Sequence, residues 1–201
     1  MVKKKILIVE GNTREENSEF TAVGINTHTE SLIESINFYK KDLDISIANP
    51  SSDNNLKNSI DSLDKYDGMI WGGSSLNIYN DTDEIRRQIS FMRECQLKIK
   101  KIFAICWGLQ VAVTVAGGQV KKSDKGAHRG IAHNIKVNNI GSNHKIYLNK
   151  KRQFNSPAFN FDEVVKIPEG ATLLSSNELN NVMCLNLSLI HISEPTRRAI
   201  I

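Results

Sequence analysis

Lys101-Ile102-Phe103-Ala104-Ile105-Cys106-Trp107-Gly108-Leu109-Gln110 is the stretch on which the reading of this chain turns. Residues 101–105 are a short apolar run behind lysines, the pattern of a strand buried inside a sheet. Leu109 to Ala116 predicts a helix, stopped by Gly117-Gly118. Cys106 stands at the junction. A tight strand-to-helix turn there pushes its side chain into the crevice at the carboxyl end of the sheet, where open α/β folds bind ligands.

The same alternation extends upstream. Ile6-Leu7-Ile8-Val9 predicts a buried strand, and the polar stretch from Gly11 to Thr27 a long loop. Leu32, Ile33, Ile36 and Tyr39 recur at helical spacing after Thr29, a candidate cap. Leu43 to Ala48 alternates like a strand that Asn49-Pro50-Ser51-Ser52 ends. A polar helix through Leu56, Ile60 and Leu63 precedes a strand over Tyr66–Trp71, which enters Gly72-Gly73. Thr82 is placed to cap a helix with Ile85, Ile89 and Met92 on one face. Alternating strands and helices predict βαβ units, a parallel sheet and helices on both of its faces. After Val120 the pattern changes to short strands at His133–Val137, Lys145–Leu148, Val164–Ile167, Thr172–Leu174 and Val182–Leu185, a β-rich second half.

Composition narrows the function classes. The 201 residues are 40% hydrophobic and 24% charged, which suits one soluble domain with a real core. The longest apolar run, Val111 to Ala116 around Thr114, is too short to cross a bilayer, so no membrane partner is expected. The start, Met1 to Glu10, lacks the long apolar stretch of a signal peptide. Three cysteines without a C-x-x-C pair point to reduced thiols and a cytoplasmic address. The net charge of +4 is spread out, with lysines flanking strands, so no nucleic-acid partner is expected. Histidines and cysteines lack metal-ligand spacing, and Gly11 stands alone after the first strand. No metal, no cofactor and no ATP-using synthase activity are therefore expected in this chain. Leu187 to Arg197 resembles the translation of a transposase-type sequencing adapter. The expected organisation is a domain over residues 1–186, incomplete at its C-terminus, and an adapter-derived tail over 187–201.

A lone buried cysteine is usually an inert core thiol, and Cys95 and Cys184 fit that description. The surroundings of Cys106 argue otherwise. Ala104 and Gly108 are small enough for a strained turn, and a helix N-terminus favours thiolate over thiol. The Trp107 backbone N–H would point at a developing oxyanion, and Gly72-Gly73 offers a second donor. Donors of this kind supply several kcal/mol of transition-state stabilisation.

Gly72-Gly73-Ser74, Cys106-Trp107-Gly108-Leu109-Gln110 and Gly117-Gly118 together resemble the class I (triad) glutamine amidotransferases. The resemblance is closest to the stand-alone, GMP-synthase-like members. It continues through Ile78-Tyr79-Asn80-Asp81, Arg86-Arg87-Gln88, Gly130-Ile131-Ala132, Ser156 to Val164, Ile167 to Thr172 and Ser175-Ser176-Asn177. It implies a flavodoxin-like three-layer sandwich with a mostly parallel central sheet. It also implies that Cys106 attacks the side-chain amide of glutamine, giving a γ-glutamyl thioester, ammonia and then glutamate. Gly73 and Trp107 would form the oxyanion hole, while Gly72 and Gln110 would hold substrate. Ammonia would pass to a synthase partner.

The resemblance also exposes a gap. The family's histidine and glutamate belong to a late His-Pro-Glu-like motif, which does not occur before Asn186. His191-Ile192-Ser193-Glu194 has both residue types, but at a different spacing and inside the adapter-like segment. His28, His128, His133 and His144 read as surface or satisfied core imidazoles. Asn160 stands where many relatives carry a cleft-lining histidine, His128 where relatives often carry a glutamate, and Ala104 where glycine is common. The chain as it stands is expected to be inactive or impaired. Three readings stay open: a glutaminase-type amidotransferase, a γ-glutamyl peptidase or hydrolase on the same scaffold, and a non-catalytic amidotransferase-like binding domain.

Overall fold

Four short strands run side by side in the first half of the chain, and their apolar sequences dictate where they lie. The structure is a computed structural model that describes residues 3–53 and 56–187. His191 and Glu194 lie outside the described residues, as does all of the adapter-like tail except Leu187. Contacts divide the chain into two compact units, Met1–Val115 and Ala116–Ile201.

The elements of the first unit are β1 (Lys4–Val9), α1 (Arg14–Ala22), α2 (His28–Tyr39), β2 (Leu43–Ala48) and α3 (Lys57–Asp61). They are followed by β3 (Gly68–Trp71), α4 (Asp83–Lys98), β4 (Ile102–Ala104) and α5 (Trp107–Val115). The strands are all parallel, in the order β2-β1-β3-β4. That is the strand order of flavodoxin-like sheets, with its reversal point between β1 and β3. Ile8, Val9 and Trp71 are fully buried, as a central parallel sheet requires. Amphipathic α4 lays Ile85, Phe91 and Met92 into the same core, and α5 adds Trp107, Val111 and Val113.

Three expectations for this unit need correction. The stretch read as a loop contains α1, which opens on a capping box: Thr13 Oγ1 accepts from Glu16 N–H at 3.2 Å, and Glu16 Oε2 accepts from Thr13 N–H at 2.8 Å. No α1 residue is buried, so it has no apolar stripe to betray it. α2 is capped by Thr27 and Glu30 rather than by Thr29, and Tyr39 is 85% exposed rather than inward. α5 begins at Trp107, two residues before the expected start.

The second unit is antiparallel. It holds β5 (Gln119–Lys122), β6 (His128–Val137), α6 (Asn139–Ser142), β7 (Gln153–Asn160), β8 (Asp162–Lys166), β9 (Thr172–Ser176) and β10 (Cys184–Asn186). One sheet has the order β10-β9-β6-β7, and β5 pairs with β8. The strand expected over Lys145–Leu148 is instead a 3₁₀ turn over Lys145–Tyr147. His144 Nδ1 accepts the Ile146 N–H there, and the Tyr147 hydroxyl meets Ser175 Oγ at 2.7 Å. β5 and β7 are additional strands. β7 contains Pro157 opposite Ile131, which a sheet tolerates because β7 is its edge.

Candidate active site

The reversal point between β1 and β3 is where three chain segments meet: the exit from β1, the exit from β3 and the turn between β4 and α5. Ile105 N–H donates to Trp71 O at 2.8 Å, so the chain beyond β4 still follows β3. Cys106 then takes a left-handed conformation, φ +53°, where a residue with a Cβ costs on the order of 1–3 kcal/mol. Gly108 N–H is shared between Ile105 O at 3.0 Å and Gly72 O at 3.1 Å. Gln110 N–H closes the first helical turn on Cys106 O at 3.1 Å. The elbow is thereby tied to the Gly72-Gly73 loop through backbone.

Glycine is obligatory at two places in this knot. A Cβ on Gly108 would sit 2.5 Å from Trp71 O and 2.9 Å from Trp71 Cβ. One on Gly11 would sit 2.8 Å from both Gly73 O and Trp107 Cδ1. Gly11, isolated in the sequence, is therefore wedged between the loop after β3 and the ring that begins α5.

Side chains lock the same segments from below. Gln88, fully buried on α4, accepts from Trp107 Nε1 at 2.7 Å and donates to Gly11 O at 3.0 Å. Asn12, also fully buried, accepts from Ser75 N–H at 3.1 Å through Oδ1 and donates to Asn17 Oδ1 at 3.2 Å. Its carbonyl accepts from Ser51 Oγ at 2.6 Å, and Arg87 Nη2 donates to Ser51 O. Glu10 is buried too, with Oε1 accepting from Asn12 N–H at 2.9 Å. Sequence reading assigned no role to Gln88, Asn12 or Glu10. The signals available were the Arg86-Arg87-Gln88 stretch of the family resemblance and the polar residue that directly follows β1.

Gly72, Gly73, Cys106 and Trp107 are thus brought together, and Gln110 lies one helical turn further on. Cys106 is half-buried, whereas Trp107 is 1% exposed. Among the described residues the Gln110 Oε1 atom is buried without a hydrogen-bond partner, as are Trp71 Nε1, Arg87 Nε and Gln96 Oε1. Such atoms cost about 1–3 kcal/mol each, and at a site they mark an acceptor available to a ligand. None of the three cysteines forms a disulfide. Burial pushes the Cys95 thiol well above the ordinary range and raises that of Cys184.

The histidines separate cleanly. His128 is 3% exposed, with Nδ1 bonded to Asn160 Oδ1 and Nε2 to Asn177 Nδ2, both at 2.9 Å. It is a satisfied core imidazole, and Asn160 is its partner. His144 caps the 3₁₀ turn and His133 is exposed. His28 is exposed as well, but its ring lies against Gly73.

Comparison with known proteins adds to this geometry. The family model for glutamine amidotransferase class-I matches residues 25–192. A γ-glutamyl-L-1-hydroxyisopropylamide hydrolase from a Pseudomonas species is 30% identical over 183 residues, covering 88% of this chain and 60% of that protein. A glutamine-hydrolysing GMP synthase subunit of Sulfolobus acidocaldarius is 26% identical over 127 residues, covering 63% of each chain. The chain thus spans about 60% of the length of these relatives. A crystal structure of a Thermotoga maritima glutamine amidotransferase superposes with a TM-score of 0.70 at 14% identity, over 92% of this chain and 72% of that one, and so shares the fold.

Proposed function

Since this chain belongs to the class I glutamine amidotransferase family, we propose that its elbow hydrolyses the side-chain amide of glutamine, or of a related γ-glutamyl compound, through Cys106. The observation that carries this reading is the left-handed Cys106 at the start of α5, bonded through Gly108 N–H to Gly72 O. A cysteine in that conformation is costly to keep for packing alone. Cys106 Sγ attacks the amide carbon, and the oxygen gains charge against the backbone N–H groups of Gly73 and Trp107. Collapse forms the γ-glutamyl thioester and expels the amine, or ammonia from glutamine. Water then releases glutamate and restores the thiol.

Gly72 shapes the substrate loop, and Gln110 Oε1 accepts from the glutamyl group, which supplies its missing partner. Proton transfers belong to the family's histidine and glutamate pair. No histidine of that kind is assigned among the described residues. Where ammonia is the product, a synthase partner receives it. We place the protein in the cytoplasm on its reduced cysteines; among the described residues no helix is long and apolar enough to cross a membrane.

The Pseudomonas relative gives a second reading equal weight: a γ-glutamyl hydrolase whose substrate carries an organic amine. Both readings use the same thioester. Glutamate and amine release from glutamine and from γ-glutamylethylamide, by this protein and by Cys106→Ser, tests them together. Loss of release on substitution is expected, and the preferred substrate separates the two readings. Equal, measurable rates in both proteins would remove Cys106 as the nucleophile.

A further inference from the structure

Gly73 has no side chain, and His28 occupies the space where one would begin: its Nδ1 lies 3.2 Å and its Cε1 3.6 Å from that Cβ position. His28 is the first residue of α2, held in place by the Thr27–Glu30 capping box. Its ring meets Phe20 of α1 edge-on, with centroids 5.3 Å apart and planes at 62°. It is also exposed, and among the described residues no hydrogen bond engages either ring nitrogen.

Two sides of the Gly72-Gly73 turn are therefore chemically different. On the α5 side the unpartnered Gln110 Oε1 is buried and suits the polar glutamyl group. On the solvent side stands an aromatic pair with an imidazole able to donate or accept. Ammonia is too small to span to that pair. The carbon substituent of an organic amine would pack on the Phe20 and His28 rings as the amine leaves towards solvent.

We infer that Phe20 and His28 form a leaving-group subsite for γ-glutamyl amides of organic amines. The inference rests on the proposed role of Cys106. It is tested by protection of that thiol, a readout that needs no turnover. Iodoacetamide alkylation of Cys106 is followed by mass spectrometry in the full chain, with L-glutamine or γ-glutamylethylamide as protector. The expected result is protection by both compounds. The ratio of their half-protecting concentrations should move against γ-glutamylethylamide by about tenfold in His28→Ala and in Phe20→Ala. It should stay unchanged in Tyr39→Ala, at the far end of the same helix. Protection that persists with an unmoved ratio in both His28→Ala and Phe20→Ala would overturn the subsite alone. Failure of both compounds to protect the unsubstituted protein would overturn the Cys106 reading, and the subsite with it, whereas protection by L-glutamine alone would overturn the subsite only.

Discussion

At the scale of single residues, the elbow is held by what is missing as much as by what is present. Gly108 has no room for a methyl group because the Trp71 carbonyl lies 2.5 Å from where it would sit. Gly108→Ala is expected to cost about 1–3 kcal/mol, read by urea unfolding, because the backbone of β3 or α5 must move. Gln88 works through two bonds of opposite polarity. Gln88→Glu keeps an acceptor for Trp107 Nε1 but turns an oxygen towards Gly11 O. About 1–3 kcal/mol of destabilisation is expected in the same measurement, and Gln88→Met tests whether packing alone suffices. Cysteine chemistry separates the three thiols. Cys95 is fully buried and Cys184 is raised by burial, so brief alkylation at neutral pH should modify Cys106 first. The part of the site legible in the sequence was the part that sterics dictate, namely a cysteine between a strand and a helix with small neighbours. The contacts of Gln88, Asn12 and His28 were not legible, because they join segments that sequence spacing does not relate.

At the scale of elements, what could be read was what is buried. β1 and β3, in the middle of the sheet, carry apolar runs because both faces are covered, while β2 alternates at one edge and β4 is a short apolar run at the other; each was anticipated within a few residues. α1 was missed because it buries nothing, and its only sequence signal is Thr13-Arg14-Glu15-Glu16, a capping box. Thr13→Ala should therefore cost about 1 kcal/mol, visible as a lower thermal midpoint. Much of α1 depends on that cap, since no core contact compensates. β7 was missed for a related reason. It is an edge strand of alternating half-buried and exposed residues, and its polar content and Pro157 look like a loop until the pairing with β6 is known.

At the scale of the whole molecule, the parallel sheet sets both the stability and the place of the site. Asp67, just before β3, accepts from Lys5 N–H at 2.9 Å and from Lys4 Nζ at 2.7 Å, fastening β3 to the start of β1. Those bonds hold its carboxyl below the ordinary value of 3.8. A carboxylate depressed on folding contributes stability above its unfolded pKa and loses it as pH falls through the folded one. Asp67→Asn should thus lower the thermal midpoint at neutral pH, with the difference from the unsubstituted protein shrinking as pH drops below 3.8. The strand order β2-β1-β3-β4 brings the β1 exit, the Gly72-Gly73 loop and the Cys106 elbow to one reversal point, which is why residues so far apart in sequence meet in one candidate site. The most direct measurement is covalent capture with 6-diazo-5-oxo-L-norleucine, an electrophilic glutamine analogue, followed by mapping of the adduct by mass spectrometry. A single adduct on Cys106, slowed by glutamine and lost in Cys106→Ser, is the predicted result. An adduct on another residue, or labelling undiminished in Cys106→Ser, would contradict the assignment of Cys106 as the nucleophile.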